Sequence, residues 1–258
     1  MTNFNDAAVT KAIVEAFHEK LLSCLQNDVV IVGAGPSGMT AAFYMAQAGL
    51  NVTIVERKLA PGGGIWGGGM AMNEIVIQPE AVPVLKDAGI RTDRKHGDLY
   101  MVDATELAAA LCLKALHSGT KFLNLTTFED LCVYDGRVSG IVINRTGISG
   151  TYHVDPITLM AKAVLDGTGH DAEVVQKMFN RNLLPELTKD RLPVEGPMDA
   201  ANAEQFVVEH TGEVSPGLWV SGMSVAATYS GPRMGPIFGG MLLSGKKVAE
   251  QIIASVKK

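Results

Sequence analysis

Cysteine is scarce in this chain. Cys24, Cys112 and Cys132 are the only three among 258 residues. Their odd number and wide spacing argue against a disulfide framework and for a reducing cytoplasm. None falls in a metal-binding spacing, and each reads as a small buried apolar side chain. Long apolar runs are missing too. No stretch reaches the roughly 18 residues that a bilayer span needs. Residues 1–17 hold no basic segment followed by an apolar core, so no signal peptide is expected. Positive charge is not in excess: 22 Lys and Arg stand against 27 Asp and Glu, a net charge of −5. That removes the basic footprint of a nucleic-acid binder. With 47% apolar and 19% charged residues the chain is globular. Its length fits one α/β domain over residues 1–258.

What is present is concentrated in residues 28–57, DVVIVGAGPSGMTAAFYMAQAGLNVTIVER. An apolar strand, a glycine turn, a helix, a second strand and an acid follow one another. In the G-x-G-x-x-G pattern, Gly33 makes the tight turn, Gly35 lets the backbone approach a pyrophosphate, and Gly38 lets helix and strand pack closely. The helix N-terminus then offers free N–H groups and a partial positive charge to the phosphates. Glu56 ends the second strand, where a carboxylate holds the adenosine ribose hydroxyls. Residues 28–57 therefore predict an adenine dinucleotide site, without saying which dinucleotide.

The rest of the chain reads as further α/β units. Residues 7–25 show helical spacing at Ile13, Phe17, Leu21 and Leu22, which predicts a helix packed on the sheet or on a neighbouring subunit. Residues 59–72 carry six glycines in the eight positions 62–69, too many for a stable helix or strand. Trp66 within them argues against a purely solvent-exposed loop. A helix is expected over 104–117 and a short strand over 121–125. A hairpin follows, turning at Asp135-Gly136, so that the inserted excursion spans about 121–145. Residues 163–166 read as a strand, 171–180 as a helix, 185–203 as a long loop, 217–223 as a buried strand and 236–256 as a closing helix. The order predicts a Rossmann-like FAD/NAD(P)-binding fold of the glutathione-reductase type with a β-hairpin excursion.

A flavoprotein is the first reading of such a layout, and two features oppose it. Flavin oxidoreductases end the late strand in Gly-Asp, whereas this chain has Gly222-Met223. A thioether is a poor substitute for a carboxylate as a hydrogen-bond acceptor. No paired redox cysteines occur either. The adenosine half of the site is intact and the flavin half is not.

Three further segments stand out: His153-Val154-Asp155-Pro156, Gly167-Thr168-Gly169-His170-Asp171, and Arg233-Met234-Gly235-Pro236-Ile237-Phe238-Gly239-Gly240-Met241. Together with the glycine fingerprint and the glycine-rich loop, they resemble the thiamine thiazole synthase family from about residue 10 to the last helix. The resemblance implies that NAD is a substrate. Nicotinamide is lost, the ADP-ribose opens to a ketone that condenses with glycine, sulfur enters, and an ADP-linked thiazole carboxylate closes.

The resemblance also implies roles for particular residues. Gly33, Gly35, Ser37 and Gly38 would hold the diphosphate, and Glu56 with Arg57 the adenosine ribose. Gly64 and Phe128 would touch the ligand through their backbones, and Met223 would line it. Arg233 would bind the glycine carboxylate with its planar fork. His153, Val154 and Asp155 would contact the ligand, with His153, Asp155 and His170 as the catalytic candidates. Eukaryotic members carry a sulfur-donating Cys where this chain has His153. An imidazole has no sulfur to give, so this chain resembles the archaeal, sulfide-dependent branch. Asp155 and His170 would bind Fe(II), completed by substrate or a neighbouring subunit. A ring-like homo-octamer with shared sites is implied as well.

Each of these side chains also has an ordinary reading. His153 suits a turn. Asp155 before Pro156 suits a helix N-cap, and His170-Asp171 suits a loop and cap. Arg233 could be a surface cation, although its setting between two Gly-Pro pairs favours a buried anion partner. Two other enzymatic functions compete, an FAD-dependent oxidoreductase and an isomerase acting on ribose 1,5-bisphosphate. A non-catalytic nucleotide sensor or storage oligomer is the third alternative.

Overall fold

The computed structural model describes residues 5–184 and 194–257. In chain order the elements are α1 (Asp6–Ser23), β1 (Gln26–Val32), α2 (Pro36–Gln47), β2 (Val52–Glu56), β3 (Glu74–Ile77), α3 (Val82–Asp87), β4 (Lys95–His96), β5 (Leu99–Asp103), α4 (Ala104–His117), β6 (Lys121–Asn124), β7 (Thr126–Tyr134), β8 (Arg137–Arg145), β9 (Ile157–Asp166), α5 (Glu173–Asn180), α6 (Ala200–His210), β10 (Gly212–Ser215), β11 (Leu218–Val220), α7 (Met223–Tyr229) and α8 (Gly239–Val256).

The main sheet runs β10-β11-β9-β1-β2-β6. Strands β11, β9, β1, β2 and β6 are mutually parallel, so their C-terminal ends share one edge. β1 is apolar on both sides because both sides are covered. Val29 and Ile31 enter one core with α2, α4 and α8, while Val30 and Val32 enter a second core with the hairpin and α5–α7. This is the Rossmann-like α/β architecture that the sequence predicts.

The hairpin excursion is β7–β8, turning at Asp135 and Gly136, both at positive φ. It joins the parallel sheet through β9, whose first half pairs with β8 and whose second half pairs with β1. The segment 121–124 belongs to the parallel sheet, beside β2.

Three regions differ from the sequence reading. Residues 74–103 form an unpredicted three-stranded antiparallel sheet, β3-β5-β4, with α3 within it. Residues 200–203 begin α6 instead of continuing a loop. The cap is Asp199, whose carboxylate accepts from Asn202 N at 3.3 Å, and only Ala203, Glu204 and Val207 are buried. Residues 194–199 are a loop as expected, and 185–193 lie outside the described residues. The late strand is only Leu218–Val220, because Gly222 turns at φ 65° and Met223 already starts α7.

The N-terminal helix forms as predicted, yet none of its residues is buried. Ile13, Phe17 and Leu22 are exposed, and Leu21 alone rests against the second core. Its apolar stripe is therefore largely uncovered within one protomer. Among the described residues, no helix is long and apolar enough to cross a membrane.

Candidate functional site

A cavity of about 600 Å³ opens at the C-terminal edge of the parallel strands, where open α/β sheets bind ligands. Its walls follow directly from where the strands stop. β1 delivers Gly33 and Gly35, β2 delivers Glu56 and Arg57, and β9 delivers Gly167 through Asp171. Beyond β11, Met223 completes the wall.

The three fingerprint glycines have separable roles. Gly33 sits at φ 99°, and a Cβ there would lie 2.5 Å from Gly167 O. A Cβ at Gly38 would lie 2.4 Å from Gly33 O, so helix and turn touch directly. Gly38 does not itself line the cavity. Gly35 does, and a Cβ there would meet nothing closer than Gly167 O at 3.8 Å. No side chain caps α2, and Pro36 occupies its first turn. An anion can take the open N–H groups.

Glu56 is buried and holds this turn as well as facing the cavity. Its Oε2 accepts from Ala34 N at 2.9 Å and its Oε1 from Lys58 N at 2.7 Å. Each oxygen keeps a further lone pair for a ligand hydroxyl. Arg57, also on the cavity wall, pairs with Asp171 at 3.2 Å and with Glu173. Burial pushes the Glu173 carboxyl up, and the Arg57 charge pulls against it.

The glycine-rich loop is anchored by more than its glycines. Ile65 is fully buried, Gly62 N donates to Ala34 O at 2.7 Å, and Trp66 Nε1 donates to Pro61 O at 2.7 Å. Gly64 and the exposed Met70 line the cavity. Phe128, buried on β7, forms part of the opposite wall.

His170 also lines the cavity, and residues that the sequence reading missed hold it there. Asp166, fully buried at the end of β9, accepts five hydrogen bonds. Oδ1 takes Thr168 N, Thr168 Oγ1 and Ser224 Oγ, and Oδ2 takes Val174 N and Val175 N. Burial pushes this carboxyl up, against the pull of these donors. Asp166 thus ties β9, the 167–171 turn and the start of α5 together. Glu195 adds the second restraint, with Oε1 2.6 Å from His170 Nδ1. When Nδ1 carries the proton, Nε2 keeps its lone pair. An acid closing the apolar run AVLD was the available signal for Asp166. Glu195 sits in a stretch without periodicity and gave none.

Arg233 lines the cavity with its side chain exposed. It makes no ion pair with any described residue. Its backbone is fixed instead: Arg233 N donates to Pro197 O at 3.1 Å, and Asp199 N donates to Arg233 O at 3.1 Å. The segment that follows is tied to β3, where Phe238 N donates to Val76 O at 3.0 Å. Glu204, another residue missed from sequence, accepts from Gly240 N and from Gln78 Nε2 at the start of α8. Burial pushes its carboxyl up.

His153, Val154 and Asp155 are not part of this cavity. They are exposed on the connection between β8 and β9, where Asn144 Nδ2 donates to Val154 O at 3.3 Å. One chain therefore puts His170 on the cavity wall and Asp155 elsewhere. Among the described residues, no group of three or more His, Cys, Asp or Glu side chains gathers to hold a metal.

Comparison with known proteins matches a model described as the Thi4 family over residues 10–238. The chain is similar to a thiamine thiazole synthase from Pyrococcus horikoshii, with 49% identity over 98% of each chain. It is similar to one from Methanothermobacter thermautotrophicus at 46% identity, over 98% of this chain and 99% of the other. Among solved structures, the crystal structure of Thermovibrio ammonificans THI4 superposes with a TM-score of 0.92 at 41% identity, covering 100% of both chains.

Proposed function

This chain belongs to the Thi4 family, and from that premise we propose that it builds the thiazole of thiamine from NAD, glycine and sulfide, consuming the NAD. The observation that carries the reading is convergence on one cavity. Gly33, Gly35, Ser37 and Glu56 from the fingerprint, His170 from the second motif and Arg233 from the third all line it.

The chemistry assigns each wall a task. The diphosphate lies on the glycine turn and the open end of α2, whose dipole favours anions. Glu56 accepts the adenosine ribose hydroxyls. The other ribose then extends toward Met223 and His170, where nicotinamide departs and the sugar opens to a ketone. Arg233, free of any described ion pair, receives the glycine carboxylate through a bidentate contact. Nε2 of His170 is available for proton transfer once Glu195 holds Nδ1. Position 153 is an imidazole, so the sulfur comes from sulfide.

Fe(II) in this reading needs two subunits. The residues of one chain do not fit the ion alone, since Asp155 lies outside the cavity that His170 faces. Within a homo-octamer whose sites are shared, His170 and Asp155 of the partner subunit would hold the ion together. When bound, it supplies a Lewis acid. No proton step above depends on it.

The test is to denature freshly purified protein and identify the small molecule released by mass and absorbance. An ADP-linked thiazole, an ADP-ribose derivative or NAD, without flavin, supports the reading. FAD overturns it.

A further inference from the structure

Glu56 is followed directly by an arginine, and that pairing poses a specificity problem. At this edge of a dinucleotide-binding sheet, an acid selects a free ribose 2′-hydroxyl, whereas a nearby arginine accommodates a 2′-phosphate. Both residues line the same cavity here. The glycine fingerprint and the acid do not say which preference wins.

The ion pairs of Arg57 decide it. Its two terminal nitrogens face two different carboxylates, Nη1 to Glu173 and Nη2 to Asp171 at 3.2 Å. A guanidinium presents its charge as a planar fork, and both prongs of this fork are taken. Asp171 and Glu173 belong to the turn after β9 and the first turn of α5, and Asp166 fixes that turn through Thr168, Val174 and Val175. The carboxylates are thus held by the fold. A 2′-phosphate arriving beside Glu56 would meet three carboxylates, the already paired Arg57 and the neighbouring Lys58. A 2′-hydroxyl meets a carboxylate with a lone pair to spare.

We propose that Asp171 and Glu173 set the nucleotide specificity of this cavity: by holding Arg57 they bar adenine dinucleotides that carry a 2′-phosphate and admit those with a free ribose diol. This rests on the reading that the cavity takes an adenine dinucleotide. The two acids act through Arg57. They are specificity determinants of the proposed reaction, and their loss should show as a gain of binding.

The experiment is calorimetric titration of NAD and NADP into the full-length protein, freed of bound ligand, at fixed ionic strength. Wild type is expected to bind NAD and to discriminate strongly against NADP. In the Asp171→Asn, Glu173→Gln double variant, the affinity for NADP relative to NAD is expected to rise roughly tenfold. Structural damage alone lowers both affinities and cannot produce this shift in their ratio. Asp171→Asn alone, at an exposed position, keeps the Glu173 pair and should give a smaller shift in the same direction. An unchanged NADP-to-NAD ratio in both variants, with NAD still bound, overturns this inference alone. Failure of the wild type to bind either dinucleotide overturns the proposed function, and this inference with it.

Discussion

The carboxylate of Glu56 lies 2.9 Å from the backbone N–H of Ala34, which it accepts across the glycine turn. The ligand-facing acid is thus also a brace for the phosphate-facing turn. Glu56→Gln gives one oxygen and one amide where two backbone donors point, from Ala34 and Lys58. One buried N–H loses its partner, at a cost of about 1–3 kcal/mol. Urea unfolding should record that loss, and calorimetry should record weaker NAD binding in the same variant.

Two glycines three residues apart should fail differently. Gly38→Ala drives a methyl to 2.4 Å from Gly33 O, so the helix must shift. Overpacking of that kind costs about 1–3 kcal/mol. Gly35→Ala meets only Gly167 O at 3.8 Å and should keep the wild-type melting temperature. Its methyl stands where the diphosphate approaches, so NAD affinity should fall sharply. Thermal melts and titrations of the two variants check the contrast.

Two carboxyls should each contribute a loss of stability on the acid side. Lys162 at 2.8 Å and the Asn51 N–H hold the Asp28 carboxyl below its ordinary value of 3.8, and Arg91 holds Glu106 below 4.5. A depressed folded pKa means that the unfolded chain takes up the proton first. The stability from these groups is therefore complete above the ordinary values and is lost as pH falls through the depressed ones. Asp28→Asn should lower stability at neutral pH and flatten the decline below about pH 4. Denaturant titrations at stepped pH check both.

Arg233 is exposed to the cavity without a described ion pair, so its charge is available to a small anion. Arg233→Ala should raise the apparent KM for glycine by roughly tenfold or more, as expected when a charged hydrogen-bonded pair is lost. NAD affinity should stay close to wild type. Equal loss of both would mean that Arg233 shapes the cavity and does not select glycine.

Much of the fold was legible because local chemistry and tertiary structure agree over residues 26–56 and 104–145. There the glycine turn, the apolar strands and the Asp135-Gly136 hairpin each point to one geometry. The small sheet β3-β5-β4 was not legible, since its strands are short and Lys95 and His96 are both exposed. Helix α6 was hidden by prolines upstream and by its few buried side chains.

In the site, Gly33, Gly35 and Glu56 could be named because motif spacing carries them, and His170 and Met223 because the family resemblance implied them. Asp166, Glu195 and Glu204 could not, because each acts through contacts between residues remote in sequence. Position in sequence also could not reveal that His153, Val154 and Asp155 leave the cavity of their own chain.

The most direct test supplies purified protein with NAD, glycine, Fe(II) and sulfide under anaerobic conditions, and follows nicotinamide release and product mass. The account expects nicotinamide and an ADP-linked thiazole carboxylate in more than one equivalent per subunit, with no thiazole when sulfide is omitted. NAD recovered intact from the complete mixture would contradict it.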